Sequence, residues 1–495
     1  MKNILGISAG FHDAAVSVVR EDGEILFAGH SERYSKIKND PDLHPDLLKE
    51  CSNFYMDEVA FYERPWLHNW QQLRSGQHQW GPWTASQAIR RHLGSWYQFP
   101  AEKERSWPHH LSHAAAGFQT SPFDEAAVVV IDAIGEMDTI SIFCAWYDDQ
   151  GRAQYQRVWR QGYPHSIGLF YSAVTKAVGL KPMEEEYITM GMAAYGEEWR
   201  HQNRITDMVV EDLDTVRLRR NLHIGFDDHE FALDRATDVA AAAQHLTERL
   251  IRRVVQRARE IVASDNLVYM GGVALNCVAN ARIGDIYDNI WIMPNPGDAG
   301  SSLGAAALSH GGRLTWRDAY LGYDISGPYP VNHCVDHLIA HGIVAVASGR
   351  AEFGPRALGN RSLLADPRGP EIKDRVNDIK QRQRFRPFAP AILEEHVADY
   401  FVMPQGFDRS RYMQIVARVR DSRAFPAITH VDGTARIQTV PADDSGFRKL
   451  LEVWYARTGC PMLLNTSLNI RGEPMVNDRA DADRFQSLYG VKVCS

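Results

Sequence analysis

Apolar residues gather in short runs that start almost at the first residue. The stretch KNILGISAG reads as a buried strand and turn. AAVSVVRED and GEILFAGHSER follow as strand, turn at Asp22-Gly23, and strand. Residues 126–136, AAVVVIDAIGE, form a further buried strand that ends in an aspartate and then a glycine, and TISIFCAWYDD at 139–149 adds another. The period changes after residue 236. Leu246, Leu250, Ile251, Val254, Val255, Ala258 and Ile261 recur at three- and four-residue steps, with Arg249, Arg252, Arg253 and Arg257 on the other side. That spacing predicts an amphipathic helix, which runs into a strand LVYM and then GGVALN. Strands ending in Asp or Gly-Gly, with helices between them, predict an α/β protein whose loops gather at strand ends.

No repeat of solenoid period and no low-complexity segment is visible. A Gly/Pro-rich stretch at 322–330, GYDISGPYP, reads as a link that divides the chain into domains of residues 1–330 and 331–495. The second part carries two short β-rich segments, ITHVDGTARIQTV and PMLLNTSLNIRGEPMV. At 495 residues, more than one domain is expected. Hydrophobic content of 44% and charged content of 23% are those of a globular protein. The apolar run at the start is too short for a signal peptide, and no run suits a membrane span, so no membrane partner is expected. Six scattered cysteines without a CxxC fit a cytoplasmic location and indicate neither a disulfide framework nor a zinc ribbon.

Charge is distributed unevenly. The chain is net −8, yet residues 349–390 hold ten Lys/Arg against five Asp/Glu. A positive island in an acidic chain points to capture of a small anion, whereas net negative charge argues against sequence-independent nucleic-acid binding. A charge run is ordinarily a solvated face. Here FGPRALGNRS and FRPFAP interleave arginines with apolar and turn residues, which aims the arginines inward.

Candidate chemistry lies in several places. His109 and His113, four apart in WPHHLSHAAAGF, would share one helix face and could share a metal, although such pairs also arise by chance. Asp132 and Asp298 are carboxylates at expected strand ends beside glycines. Two imidazoles and carboxylates suit Fe(II), Mn(II) or Zn(II). His12, in a Gly-flanked turn after the first strand, is either a hydrogen-bonded loop histidine or a general base. GGVALN allows close backbone approach to a nucleotide. HExxH, the P-loop and a convincing GxSxG are absent. Six of the twelve tryptophans, Trp66, Trp70, Trp80, Trp83, Trp96 and Trp107, share one stretch with Arg64, Arg74, Arg90 and Arg91. They read either as a subdomain core or as a platform on which a ring-shaped substrate stacks.

Taken in order, ILGISAGFHDAA, SERYSKIK, HHLSHAAAGF, VVVIDAIGE, MGMAAYG, GGVALN, NPGDAGSSLGAA, GRAEFGPRALGNRSLLADPR, KQRQRFRPFAP, HVDGTARIQTV and LNTSLNIRGEP resemble the NodU/CmcH family of O-carbamoyltransferases along nearly the whole chain. The resemblance implies an N-terminal actin-like ATPase domain, of the threonylcarbamoyl-transferase branch, and a smaller C-terminal YrdC-like α/β domain. It implies that carbamoyl phosphate and ATP give carbamoyl-adenylate, and that the carbamoyl group then passes to a hydroxyl. Carried onto this chain, it makes His109, His113, Asp132 and Asp298 ligands of iron(II) or another divalent metal, with magnesium accompanying ATP. It makes His12 the base. Gly271, Gly272 and Asn276 would lie against the adenylate. Arg356, Lys380, Arg386, Arg436 and Arg471, helped by Asn465, Thr466 and Ser467, would hold carbamoyl phosphate and ATP. The acceptor would be a small natural product, or a hydroxymethylated pyrimidine such as hydroxymethylcytosine in DNA. A homodimer is a further expectation. Two other readings are a tRNA-threonylcarbamoyladenosine-type enzyme and a non-catalytic nucleotide- or sugar-binding actin-like protein. One departure stands out: Tyr187-Ile188 occupies the place of the family's Gly-Lys.

Overall fold

The computed structural model describes residues 2–74, 80–96, 103–211, 216–227, 230–231 and 234–495. The first three apolar runs pair as an antiparallel meander: Asn3–Ser8, Ala15–Arg20 and Ile25–His30. Glu58–Phe61 joins Asn3–Ser8 in parallel, and Glu104–Ser106 joins Glu58–Phe61 in parallel. Numbered along the chain, the strand order is 3-2-1-4-5.

The second sheet repeats that plan. Glu125–Gly135, Asp138–Tyr147 and Ala153–Gly162 form the meander. Asn266–Met270 and Asn289–Trp291 add in parallel, giving 3-2-1-4-5 again. The predicted amphipathic helix, Ala236–Ile261, packs into the core of this second unit. In both units the fifth strand leads into a helix, His109–Phe118 in the first and Ser301–His310 in the second. These two helices pack on each other between the sheets. The approach is close enough that a Cβ at Gly304 would sit 1.8 Å from the Ser112 carbonyl oxygen, so only glycine fits there. This doubled α/β unit is the actin-like arrangement that the resemblance implied. The duplication is one of topology, with long insertions of different size in each copy, and no sequence period reveals it.

The C-terminal part has its own mixed sheet. Its strands, in spatial order, are Gln438–Val440, Ala389–Leu393, Met462–Ser467, Arg361–Ala365, Ile343–Ala347 and Val493–Cys494. Val331–His341 and Gly446–Thr458 cover one face, and Ile372–Ile379 and Arg479–Tyr489 cover the other. The expected link at 322–330 starts instead as strand: Tyr320–Ile325 pairs antiparallel with Gly349–Glu352. Among the described residues, no helix is long and apolar enough to cross a membrane.

Candidate active site

Both units deliver chemistry to one point. His109 opens the helix that follows the fifth strand of the first unit, and Asp298 occupies the turn just before the equivalent helix of the second. Asp132 lies near the end of the first strand of the second unit, and His12 follows the first strand of the first. The convergence therefore follows from the duplicated fold. His109 and His113 bring their Nε2 atoms to 3.0 Å. Asp298 Oδ1 lies 3.3 Å from His109 Nε2 and 3.2 Å from His113 Nε2, and Asp132 Oδ2 lies 3.3 Å from His109 Nε2. One ligand atom from each of the four buried residues falls within 4.8 Å of the others.

Outer partners orient this cluster. Ser301 Oγ is 3.1 Å from His113 Nδ1, the Gly272 N–H donates to Asp132 Oδ1 at 3.2 Å, and Glu63 Oε2 is 3.7 Å from the otherwise unpartnered His109 Nδ1. Such contacts fix imidazole tautomers around a cation. Burial alone would push His109 and His113 down. Asp298 and Asp132 override it and hold both imidazoles above their ordinary value. Burial likewise opposes ionisation of Asp132, and the two histidines override it and lower its carboxyl. With both imidazoles neutral, two histidines and two aspartates form a donor set of charge −2, which matches a divalent cation. His12 stands at the edge, its Nδ1 3.2 Å from Asp13 Oδ2 and its Nε2 3.6 Å from Asp298 Oδ2. Burial lowers it, but Asp298, Asp13 and Asp132 together raise it to about 9.

From this cluster a cavity of about 850 Å³ runs into the C-terminal part. At its far end lie Arg356, Lys380, Arg382, Arg386, Arg436 and Arg471. Among the described residues, no carboxylate pairs with Arg356, Arg382, Arg386 or Arg436. Burial and then Arg436 push Arg356 down to about 9, and burial followed by Arg386 and Arg436 pushes Arg382 well down. The Nε of Arg436 is buried without a partner. A guanidinium remains charged in proteins, so this end of the cavity is a set of cations lacking a counter-ion.

Comparison with known proteins gives the family. Residues 93–307 match the family model "Carbamoyltransferase N-terminus", and residues 335–493 match "Carbamoyltransferase C-terminus". Nodulation protein NolNO of Sinorhizobium fredii is 31% identical over 95% of this chain and 76% of its own length. The chain belongs to the carbamoyltransferase family. A 3'-hydroxymethylcephem-O-carbamoyltransferase of Amycolatopsis lactamdurans is 29% identical over 97% of this chain and 95% of its own. Among solved structures, HypF of T. kodakarensis covers 62% of this chain and 48% of its own at 14% identity, with a TM-score of 0.37.

The remaining site residues of this carbamoyltransferase fall into distinct environments. Gly272 and Asn276 line the cavity, whereas Gly271, at φ +91°, turns away from it: a Cβ there would meet the Ile131 carbonyl oxygen at 2.2 Å. Gly271 thus lets two strand ends meet. Asn276 exchanges amide hydrogen bonds with Gln244 at 3.1 Å and caps the turn Cys277–Asn280. Lys380 donates to the Ser467 hydroxyl at 3.1 Å and to the Asn469 carbonyl and side-chain oxygens at 2.9 and 2.8 Å, so its N–H groups are already engaged by a loop. Asn465 gives its amide to Gln438 and Ala357 and points an unpartnered oxygen into the interior. Thr466 and Ser467 line the cavity, and Arg471 pairs with Glu185 at 3.0 Å.

Sequence reasoning passed over Arg382, two residues beyond Lys380 in the same basic segment, Glu63, just after the strand Glu58–Phe61, and Ser301, the first residue of the helix Ser301–His310. The tryptophans do not form a buried core. Trp66, Trp70, Trp80, Trp83 and Trp96 are exposed, while Trp107 packs on the main core and donates to Ser309. None of them lines the cavity. Residues 75–79 and 97–102, and the side chain of Arg74, lie outside the described residues.

Proposed function

We propose that the protein is an ATP-dependent O-carbamoyltransferase that makes and uses carbamoyl-adenylate inside this one cavity. The observation that carries the reading is the pairing, in a single space, of four guanidinia without carboxylates and a His/Asp cluster with a histidine beside it. The unpaired arginines suit the phosphates of carbamoyl phosphate and ATP, because charge-assisted forks bind such oxygens. On this reading residues 331–495 are a YrdC-like activating domain and residues 1–330 the transferring domain. The shared cavity gives a labile mixed anhydride a short path from one domain to the other.

His109, His113, Asp132 and Asp298 would hold the divalent cation, iron(II) in this reading, which when bound offsets negative charge on the adenylate. His12 is the acceptor base. Asp13 takes its Nδ1–H, which leaves Nε2 with a lone pair for the hydroxyl proton. Neutralising Asp298 and Asp132 removes the charges that raise His12, and burial then favours the neutral base. Gly272 and Asn276 form the wall on which the adenylate rests.

The similar cephem carbamoyltransferase is named for a hydroxymethyl acceptor. An acceptor with a primary alcohol follows by analogy, as a small natural product or a hydroxymethylated pyrimidine. The test is to incubate the protein with ATP, carbamoyl phosphate and a panel of alcohols that includes hydroxymethylcytosine DNA. Water releases the donor's phosphate, the carbamate displaces pyrophosphate from ATP, and transfer releases AMP, so one inorganic phosphate, one pyrophosphate and one AMP per carbamoyl group gained by an acceptor is the expected result. Pyrophosphate release that requires threonine and bicarbonate would replace this reading. With DNA as acceptor, activity falls steeply with salt, and a flat response removes the polymer.

A further inference from the structure

We propose that Tyr187 and Lys38 complete the phosphate-binding end of the cavity, with the Tyr187 ring positioning a cation from each half of the chain. The inference rests on the reading of that end as a phosphate site. The guanidinium carbon of Arg386 lies 4.8 Å from the centre of the Tyr187 ring, and Lys38 Nζ lies 5.2 Å from the same centre. All three residues line the cavity. Lys38 comes from the loop after Glu32–Ser35, and Arg386 from the loop after Ile372–Ile379. Like charges so placed repel. Glu32 and Glu185 offset part of the Lys38 charge, and among the described residues no carboxylate pairs with Arg386. At Arg386 the Tyr187 π-face supplies the negative potential, and the Tyr187 hydroxyl adds a hydrogen bond.

The surroundings hold this arrangement in place. Tyr187 sits in the first turn of the helix Glu186–Ala193. That helix is tied to the C-terminal part before its start by Glu185–Arg471 at 3.0 Å, and after its end by the Tyr195 hydroxyl donating to the Phe385 carbonyl at 3.1 Å. Lys38 is delivered by a bent backbone, in which Lys36 and Asn39 have φ of +62° and +55°. Non-glycine residues adopt that region at a cost, and they persist where neighbours impose it. Here Lys36 pairs with Asp481, and the Asn39 N–H donates to Glu32 at 3.0 Å. An anion entering the cavity thus meets Lys38 on the wall facing the arginines. Ile188 is buried, so the next residue adds no charge to the cavity.

Titration of the full-length protein with inorganic pyrophosphate tests this by calorimetry, alongside the KM for carbamoyl phosphate. Y187L weakens pyrophosphate binding about tenfold and raises KM more than it lowers kcat, whereas Y187F, which keeps the ring, stays within about threefold. K38M weakens binding about fivefold, and the double variant Y187L/K38M loses about tenfold, no more than Y187L alone, because the two side chains act together. Y187L or K38M binding like the parent overturns the inference, as does full multiplication of the two losses. A parent that fails to bind pyrophosphate overturns the phosphate-site reading itself, a separate result. If Y187L does not fold, K38M alone decides.

Discussion

The two ends of the cavity are both dense in buried charge, and they resolve it in opposite ways. The His/Asp end is balanced: each imidazole has at least one carboxylate oxygen within 3.3 Å, and both kinds of group shift toward their charged forms. The arginine end is unbalanced, and its guanidinia are pushed down by burial and by one another. A balanced cluster can serve as an ion-pair network or as a cation site. An unbalanced cluster costs stability until an anion arrives, so it is the stronger mark of a ligand.

The largest effect tests the balanced end. Replacing His109 and His113 together by alanine abolishes metal uptake, measured by elemental analysis, and lowers carbamoyl transfer by ~10³-fold or more. That loss corresponds to several kcal/mol of charge stabilisation. D298N has a similar effect on transfer and also destabilises the metal-free protein, because His109 and His113 lose a carboxylate. If transfer survives in either variant, the cluster is an ion-pair network only, and the contrast between the two ends collapses.

The next pair of effects lies within the basic island. R356M lowers kcat/KM for the phosphorylated donor by ~10- to 100-fold, the worth of a lost charge-assisted contact. The ligand-free protein melts at the same temperature or ~1–2 °C higher, since a repulsive charge has gone. K380M does the reverse to stability. It strands the oxygens of Ser467 and Asn469 that Lys380 now satisfies, and it destabilises by ~2–4 kcal/mol. Equal melting behaviour of R356M and K380M would show that the island is uniform and that the distinction between free and spent cations is wrong.

That distinction also marks how far the sequence was legible. The strands were readable because each is a short apolar run, and the helix Ala236–Ile261 because its period is strict. His109, His113, Asp132 and Asp298 read as one set through the family resemblance, since the four-residue His spacing alone also arises by chance, and the structure brings a ligand atom of each within 4.8 Å of the others. What escaped depends on partners distant in the chain. The oxygens that occupy Lys380 come from Ser467 and Asn469, and nothing in KQRQRFRPFAP separates Lys380 from Arg382. Gly271 reads as a nucleotide-binding glycine, yet the constraint on it comes from Ile131 on a neighbouring strand. The repeated 3-2-1-4-5 plan was hidden because hydrogen-bond topology persists after side-chain patterns and loop lengths diverge.

The smallest predicted effect uses one residue type to compare local fields. His30, at the end of the third strand, also lines the cavity, but it faces Arg33 and the Asn295 amide where His109 and His113 face two carboxylates. Asp13 is the one acid that opposes the shift. Burial and Arg33 prevail and push His30 down to about 3. The native state therefore refuses a proton that the unfolded chain takes up below pH 6.5. Its contribution is intact above pH 6.5 and is lost as pH falls toward 3, at a limit of about 1.4 kcal/mol per pH unit. H30Q, which cannot titrate, should show a shallower fall in melting temperature between pH 6.5 and 4.5 than the parent. In histidine-labelled protein, the His30 ring resonances should stay constant over that range. A His30 that titrates near 6.5 would mean that water reaches the end of the third strand and that Arg33 does not outweigh Asp13 there, so that this histidine shares the carboxylate-dominated field of His109 and His113.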